Sequence, residues 1–192
     1  QSYRTLGENL AALHHINAEQ FGWFRDNTIG ATPQNNQLSS DWIDFWRHQR
    51  LGYQLQLAKQ QGYGGKLQQL GEKLLTNLDS FFTDQSIVPA LLHGDLWGGN
   101  CAFDQSGQPV IYDPAVYYGD READLAMTEL FGGFSSEFYA AYQATYPLDS
   151  GYKSRRTLYN LYHILNHLNL FGGGYLRQAE QMQAKLLAEL GP

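Results

Sequence analysis

Apolar side chains recur at the spacing of an α-helix along most of this chain. The spacing begins with Leu6, Leu10 and Leu13, so we expect the chain to open in an amphipathic helix. A longer stripe consists of Leu67, Leu70, Leu74, Leu78 and Phe81. This stripe predicts another helix, and the helical region should end by Pro89, because proline has no N–H group to continue a helix.

The segment between these two stripes divides into a loop and a helix. Residues 27–38 are rich in Gly, Asn, Pro and Gln, which predicts an irregular loop. Ser39, Ser40 and Asp41 are favourable N-cap residues, because their side-chain oxygens can accept from free backbone N–H groups. An aromatic-rich run follows them, so a second helix should begin at Trp42.

Short apolar runs replace the helical spacing in the middle of the chain. They cover residues 90–92, 101–103 and 110–112. Residues 104–107 have a turn composition, so the last two runs should pair as a hairpin. Helical spacing returns after Asp120, with breaks at glycines 132–133 and 172–174. The pattern predicts one mainly α domain with a small β hairpin.

Composition and charge narrow the class of protein. The 192 residues are 43% hydrophobic and 17% charged, which is typical of a globular domain and excludes a disordered or fibrous chain. The net charge of −6 makes nucleic acid an unexpected partner, because phosphate backbones require a basic surface. The single cysteine, Cys101, favours a reducing compartment. Without a signal-peptide pattern or an apolar run of roughly 18 residues, we expect a soluble cytoplasmic domain with no membrane partner.

Candidate chemistry is concentrated in polar residues between the short apolar runs. Asp95 and Asn100 flank a loop that contains two adjacent glycines, and the predicted hairpin would bring Asp113 back beside them. Burying such groups is costly, so their clustering among apolar runs indicates a function. Two carboxylates and an amide oxygen are hard ligands that suit Mg²⁺. The alternative is that these residues only cap turns, where Asp and Asn are common.

The same three residues match the parts that phosphoryl transfer requires. A carboxylate accepts the proton of the attacking hydroxyl, while an Asn and a second Asp hold the metal ions that bridge the phosphates. The spacing Asp-x-x-x-x-Asn is that of a kinase catalytic loop. Gly94 stands where protein kinases have Arg, and Pro114 follows Asp113 where they have Phe. These departures resemble the small-molecule kinases related to aminoglycoside phosphotransferases.

Longer motifs resemble the fructosamine (ketosamine) kinase family. They cover residues 26–30, 33–35, 93–100, 113–126, 130–134, 158–163 and 170–175, and so extend over essentially the whole chain. The resemblance implies the helical C-terminal lobe of a protein-kinase-like, aminoglycoside-phosphotransferase-like fold. It also implies ATP- and Mg²⁺-dependent phosphorylation of a ketosamine sugar, mainly at O3. The unstable product then frees the amine, so the activity deglycates proteins.

The resemblance implies a role for each residue of the catalytic loop. Asp95 would be the catalytic base, and Asn100 and Asp113 would hold Mg²⁺. Asp124 would brace the loop from a following helix, and His93 would shape the loop rather than act as an acid or base.

Several further residues have more than one interpretation. Trp97 could stack against a sugar or anchor the core. Residues 120–122 could cap a helix and pair with one another, or contact substrate. His163 and His167 have the spacing of a metal pair, but no Glu lies between them and no third ligand is apparent, which disfavours zinc. His167 is instead our candidate for substrate contact. The adjacent pair of residues 14–15 needs no function.

The nucleotide-binding parts of a kinase are missing from the sequence. No Gly-x-Gly-x-x-Gly occurs, and residues 62–67 are not a P-loop, because Leu67 stands where Ser or Thr should bind the metal. The chain also begins with Gln1 rather than Met. We therefore expect residues 1–192 to be a C-terminal catalytic and substrate-binding lobe whose N-terminal partner lobe lies outside this chain. The alternatives are a kinase for another hydroxylated acceptor (aminoglycoside, choline or sugar) and a non-catalytic binding module.

Overall fold

Helices make up most of the described structure. The computed structural model describes residues 2–82 and 86–191, so Gln1 lies outside the described residues. The first helix, α1, spans Ser2–His14, which confirms the predicted opening helix. It is followed by α2 (Trp42–Phe45), α3 (Gly52–Gln60) and α4 (Lys66–Thr76). After the strands come α5 (Glu122–Leu130), α6 (Ser136–Thr145), α7 (Tyr152–Phe171) and α8 (Leu176–Glu189).

The second helix begins at its predicted cap. Asp41 has an extended backbone, and its Oδ1 accepts a hydrogen bond from the Asp44 N–H at 2.7 Å. A π-helical segment, Trp46–Leu51, joins α2 directly to α3. The stripe that ends at Phe81 is also confirmed, as α4 and a short 3₁₀ turn, Leu78–Phe81.

The π-helical segment carries Arg50 into the core. The guanidinium lies 4.6 Å from the ring centre of Phe45 and 4.1 Å from that of Tyr117. Nη1 donates to the Asn35 carbonyl at 2.6 Å, and Nη2 donates to Asn36 Oδ1 at 2.7 Å. No carboxylate of residues 2–82 or 86–191 forms an ion pair with this buried side chain. Aromatic faces and neutral oxygens therefore stabilise the cation.

The strands of the described residues form three short antiparallel pairs. These pairs are β1 (Asn27–Ile29) with β2 (Thr32–Gln34), β3 (Ala90–Leu92) with β6 (Tyr117–Gly119), and β4 (Cys101–Phe103) with β5 (Pro109–Ile111). The β4–β5 pair confirms the predicted hairpin, with Cys101 opposite Ile111. The prediction of an irregular loop over 27–38 is wrong for β1 and β2, and the β3–β6 pair was not predicted.

Buried polar side chains hold the β1–β2 hairpin. Gln34 is 1% exposed, and its Nε2 donates to Asn27 Oδ1 at 3.0 Å and to the Ala115 carbonyl at 3.1 Å. Asn27 Nδ2 donates to the Val116 carbonyl at 2.8 Å. Gly30 has a φ of 57°, which permits the tight turn between the strands. These bonds attach the hairpin to the segment that precedes β6.

Two apolar clusters hold the helices together. The larger cluster surrounds α7, which packs against α3, α5 and α8. The smaller cluster joins α1 to α6, and it includes Leu6, Leu10 and Phe138. Gly7 permits this close approach, because a Cβ there would lie 2.4 Å from the Phe138 carbonyl oxygen. The predicted glycine breaks after α5 and α7 are confirmed, whereas the break at residues 146–151 was not predicted.

Across residues 2–82 and 86–191, none of the helices combines the length and the apolar character that a bilayer crossing requires. The cytoplasmic location and the absence of a nucleic-acid partner stay predictions.

Candidate active site

The loop that carries the candidate base follows β3 directly. The Ala115 N–H donates to the His93 carbonyl at 2.9 Å, which closes the loop against the segment before β6. Gly94 has a φ of 84°, and a Cβ at this position would lie 2.0 Å from the Ala115 carbonyl oxygen. Both the backbone conformation and the lack of space therefore require glycine where protein kinases have Arg.

Replacing Gly94 by Ala should destabilise the fold substantially. The methyl group would force the Ala115 backbone away, and the alanine would have to adopt a left-handed backbone conformation. We therefore expect the free energy of unfolding to fall by at least about 3 kcal/mol. Thermal unfolding measures this loss as a lower Tm. Gly98→Ala is the matched control, since a Cβ there meets nothing within 4 Å. Equal Tm values for the two variants would contradict the prediction.

Asp124 on α5 holds this loop from the interior. The side chain is 1% exposed, and its two oxygens accept from the N–H groups of His93 at 2.7 Å and Gly94 at 2.8 Å. Its Oδ2 also lies 3.2 Å from His14 Nε2. Burial alone would raise the pKa of Asp124. The hydrogen bond and charge of His14 oppose this effect, as do the charge of His93 and the hydrogen bond from the Gly94 N–H, so that the pKa is lowered overall. The ionised carboxylate therefore fixes the loop backbone.

His14 is a supporting residue that sequence reasoning missed. It is fully buried, and its Nδ1 lies 2.7 Å from the Tyr142 hydroxyl, which in turn accepts from Arg121 Nη1 at 3.0 Å. The available signal was its position, because it continues the helical stripe of Leu6 and Leu10. A histidine on a buried stripe requires a polar partner, and here that partner is the carboxylate behind the catalytic loop.

Asp95 and Asn100 lie together at the two ends of the loop. Asn100 Nδ2 donates to the Asp95 carbonyl at 2.9 Å and to Asp95 Oδ2 at 3.3 Å. Because Nδ2 is used in this way, the amide oxygen of Asn100 remains as a ligand atom. Asp113 has a φ of 55°, a left-handed conformation that is uncommon outside glycine and often marks functional sites.

The environment of Asp95 suits a base. Burial, followed by the charge of Asp113, raises the pKa of Asp95 to about 6, with Asp124 adding to the rise and the Asn100 hydrogen bond opposing it. A carboxylate with a pKa close to neutrality accepts a proton more readily than an ordinary aspartate does, while remaining largely ionised at pH 7.

One cavity of about 390 Å³ brings the candidate residues together. Its lining includes Asp95, Trp97, Asn100, Asp113 and His167. His93 and Asp124 are not among the lining residues and lie behind the loop.

Aromatic rings form the mouth of this cavity. Trp97 is 39% exposed, which does not fit a core anchor, and it meets Phe131 edge-on at 6.2 Å. Phe131 lies 4.9 Å from His167, which contacts the exposed Phe171 at 5.4 Å. We call Trp97, Phe131, His167 and Phe171 the aromatic rim. Flat apolar faces of this kind can cover the C–H side of a sugar.

The two histidines proposed for the site occupy different positions. His93 Nε2 lies 3.0 Å from the Tyr112 carbonyl, so this nitrogen carries the proton and Nδ1 accepts from the Asp95 N–H at 3.3 Å. His167 Nδ1 donates to the His163 carbonyl at 2.8 Å, which leaves Nε2 without a bond inside its own helix. Within the described residues, no group of three or more His, Cys, Asp or Glu side chains has a metal-binding arrangement.

Residues 120–122 lie outside this cavity. Asp120 Oδ1 accepts from the Glu122 N–H at 3.0 Å, as a helix cap would. The other partners that the described residues show for Glu122 and Arg121 lie outside this group of three. Glu122 forms a two-point ion pair with Arg155, at 2.7 and 2.9 Å, and the Arg121 guanidinium lies over the Tyr146 ring at 3.6 Å.

The buried His163 should make the stability of the fold depend on pH. Burial, with the nearby His167 and Arg50, lowers its pKa from 6.5 to about 3, although Asp124 opposes this shift. The unfolded chain therefore binds a proton below pH 6.5 that the folded chain does not, and stability falls as the pH falls. Between pH 8 and pH 5 we expect this histidine to remove about 2 kcal/mol from the free energy of unfolding.

Urea unfolding at the two pH values measures this effect. In His163→Gln the loss of stability on acidification should be smaller by that amount, because glutamine does not titrate. An equal pH dependence in the two proteins would contradict the expected neutral imidazole.

Comparison with known proteins finds related sequences and structures. The family model described as fructosamine kinase matches residues 1–189. A Synechocystis protein assigned as a ketoamine kinase is 52% identical over 187 residues, and the match covers 97% of this chain and 62% of that protein. The chloroplastic protein-ribulosamine 3-kinase of Arabidopsis thaliana is 50% identical over 176 residues, and the match covers 91% of this chain and 54% of that protein. The chain thus spans less than two thirds of each relative.

Solved structures show the same fold. A crystal structure assigned as a fructosamine-3-kinase from Thermobifida fusca has a TM-score of 0.90 and 35% identity, covering 97% of this chain and 65% of that one. The ADP-bound aminoglycoside phosphotransferase APH(2'')-Ib has a TM-score of 0.53 and 18% identity, over 98% of this chain and 62% of that one. The second likeness supports an aminoglycoside-phosphotransferase-like fold and nothing further.

Proposed function

The chain belongs to the fructosamine kinase family, and from this premise we propose that it is the catalytic lobe of an ATP-dependent ketosamine kinase. The observation that carries the proposal is the convergence of Asp95, Asn100 and Asp113 on one cavity, with the pKa of Asp95 raised to about 6. Phosphoryl transfer to an alcohol requires a base for the hydroxyl proton and oxygen ligands for the metal ions on the phosphates.

The proposed chemistry assigns one task to each side chain. Asp95 accepts the proton of the sugar hydroxyl while the hydroxyl oxygen forms a bond to the γ-phosphorus of ATP. The bond between this phosphorus and the oxygen of ADP breaks at the same time. Asn100 and Asp113 fit Mg²⁺, because their free oxygens are hard ligands and the Asp113 carboxylate accepts no hydrogen bond from the described residues. When bound, Mg²⁺ neutralises charge that develops on the phosphates.

The acceptor is proposed to be a ketosamine, phosphorylated at O3. The aromatic rim supports this class, because aromatic faces stack on the apolar side of a sugar ring. A Trp at position 97 stands two residues beyond the base, close to where the sugar must sit. The unstable 3-phosphate would then release the amine, and the overall result is deglycation of glycated amines or proteins in the cytoplasm.

A second lobe is proposed to complete the enzyme. Phosphate binding by this fold uses a strand-borne Lys and a Gly-rich loop, whereas residues 2–82 and 86–89 form helices and one small hairpin. The matched relatives are longer than the chain, which agrees with a further nucleotide-binding lobe. The 192 residues alone should consequently show no ketosamine-dependent ATP turnover, because half of the phosphate cradle is missing. A coupled ADP assay on the purified chain tests this, and turnover by the chain would contradict it.

The central experiment is ATP consumption by the full-length protein with fructosyl-lysine, with and without Mg²⁺. We expect turnover that requires both the ketosamine and the metal. Activity on an aminoglycoside, choline or a free sugar, but not on fructosyl-lysine or a ribulosamine, would replace the substrate class while retaining the kinase. No turnover on any acceptor would overturn the enzyme assignment and favour a binding module.

A further inference from the structure

Two buried polar side chains of α7 line the same cavity without a part in the chemistry above. His163 is 4% exposed and Asn166 is 3% exposed, and both belong to the cavity lining. Their spacing of three residues places them on one face of the helix, one turn apart. They therefore place two polar side chains in the wall of the cavity that also contains Asp95 and the aromatic rim.

His163 lacks hydrogen-bond partners for its ring. Neither ring nitrogen bonds to a residue of the described chain. Nδ1 is fully buried, whereas Nε2 is not, so Nε2 is the nitrogen that a molecule in the cavity can reach. Burial, together with His167 and Arg50, keeps the pKa of the imidazole at about 3, with Asp124 opposing the shift. The ring is consequently neutral near pH 7 and offers one N–H donor and one acceptor nitrogen. Polar groups in largely buried side chains are almost always paired, so an unpaired Nε2 that faces a cavity points to a ligand there.

Asn166 presents its amide group in a fixed orientation. Its Oδ1 accepts from Gln54 Nε2 at 3.2 Å, while Gln54 Oε1 accepts from Asn169 Nδ2 at 2.7 Å. This chain of bonds turns the carbonyl end of Asn166 towards α3. The NH₂ group makes no hydrogen bond to the described residues and remains as a donor for the cavity.

We propose that His163 and Asn166 bind hydroxyl groups of the acceptor sugar and so set the specificity for a polyol. This inference rests on the proposed ketosamine kinase activity and deepens it. A hydroxyl group can donate to Nε2 of the neutral imidazole or accept from it, and a second hydroxyl oxygen can accept from the Asn166 amide. With the aromatic rim over the C–H face, a sugar would meet hydroxyl-binding groups on one side and apolar rings on the other.

The arrangement also predicts how the site rejects poor substrates. A site built to pair a hydroxyl loses affinity for an analogue without it, because its own buried groups are then left unpaired. A ketosamine that lacks one sugar hydroxyl should therefore bind more weakly whenever that hydroxyl is the one facing α7.

The test compares His163→Phe with His163→Gln in the full-length protein. Phenylalanine keeps a flat ring but cannot hydrogen bond, so we expect the KM for fructosyl-lysine to rise about tenfold or more, with the KM for Mg·ATP changed less than about twofold. Glutamine keeps a donor and an acceptor and should recover part of the loss. Asn160→Leu is the matched control, because Asn160 is also buried on α7 with an unpartnered Oδ1 but does not line the cavity.

A second measurement does not depend on the variants folding. Nitrogen chemical shifts of the His163 ring in the wild-type protein should change when fructosyl-lysine is added. In a series of analogues that each lack one sugar hydroxyl, at least one analogue should bind without this change. Unchanged shifts with a substrate that the wild type phosphorylates would overturn this inference alone. Equal KM values for fructosyl-lysine in wild type and His163→Phe would do the same. If the wild type neither binds nor phosphorylates any ketosamine, the proposed function fails as well.

Discussion

Asp95→Asn should lower kcat for the ketosamine by roughly two to four orders of magnitude in the full-length protein, the range for loss of a general base. The asparagine side chain can still accept the Asn100 hydrogen bond that now reaches Asp95 Oδ2, so the loop should keep its shape. It cannot accept the hydroxyl proton at neutral pH. The KM for Mg·ATP should change little, because the base acts on the acceptor. Steady-state rates with each substrate varied in turn measure both effects.

Stability provides the internal check on Asp95→Asn. Burial and Asp113 raise the pKa of Asp95, so its ionised form is disfavoured in the folded state, and replacing it with a neutral amide should not lower the Tm. The matched control is Asp104→Asn, which changes an exposed turn aspartate of the β4–β5 hairpin and should retain normal rates. A near-normal kcat in Asp95→Asn would show that the base lies elsewhere.

Asp113→Asn should impair the use of Mg·ATP as well as turnover. The substitution removes a proposed carboxylate ligand, so the Mg²⁺ concentration for half-maximal rate should rise at least about tenfold, together with a lower kcat. Asparagine is the informative replacement, because it tolerates the positive φ of 55° that Asp113 adopts. Alanine would add backbone strain to the loss of the ligand. Titration of Mg²⁺ at saturating ATP measures the change in the Mg²⁺ requirement separately from the change in kcat.

The contrast between the two variants distinguishes their roles. Asp95→Asn should leave the Mg²⁺ dependence unchanged, whereas Asp113→Asn should shift it. An unaltered Mg²⁺ requirement in Asp113→Asn would remove this residue from the metal site. Near-normal rates in both variants would refute the assignment of the whole site.

Hydrophobic spacing predicted the helices because their stability depends on apolar burial. The stripe from Leu67 to Phe81 is an example, since Leu67, Leu74, Leu78 and Phe81 all belong to the larger apolar cluster. The β1–β2 hairpin escaped prediction because Gln34 and Asn27 hold it through buried amide hydrogen bonds. Such bonds depend on distant backbone groups, such as the Ala115 carbonyl, whose position no local pattern reveals.

The candidate site also combines residues that a local sequence motif reveals with residues whose role depends on distant parts of the chain. Asp95, Asn100 and Asp113 follow one another closely in the sequence, so their motif was legible, and the cavity does contain all three. His163 was noticed only as half of an unsatisfactory metal pair. Its neutral, unpartnered ring follows from what packs around α7, which is a property of the tertiary structure.

The bond between His14 and Asp124 links the order of folding to the catalytic loop. It joins residues 110 positions apart, and the carboxylate also holds the N–H groups of residues 93 and 94. Contacts of such long sequence separation require a costly loop closure and tend to be established late. The carboxylate behind the loop gains its full set of partners only after the first helix has docked. Chains in which the first helix has not docked would therefore lack the full support of the candidate catalytic loop.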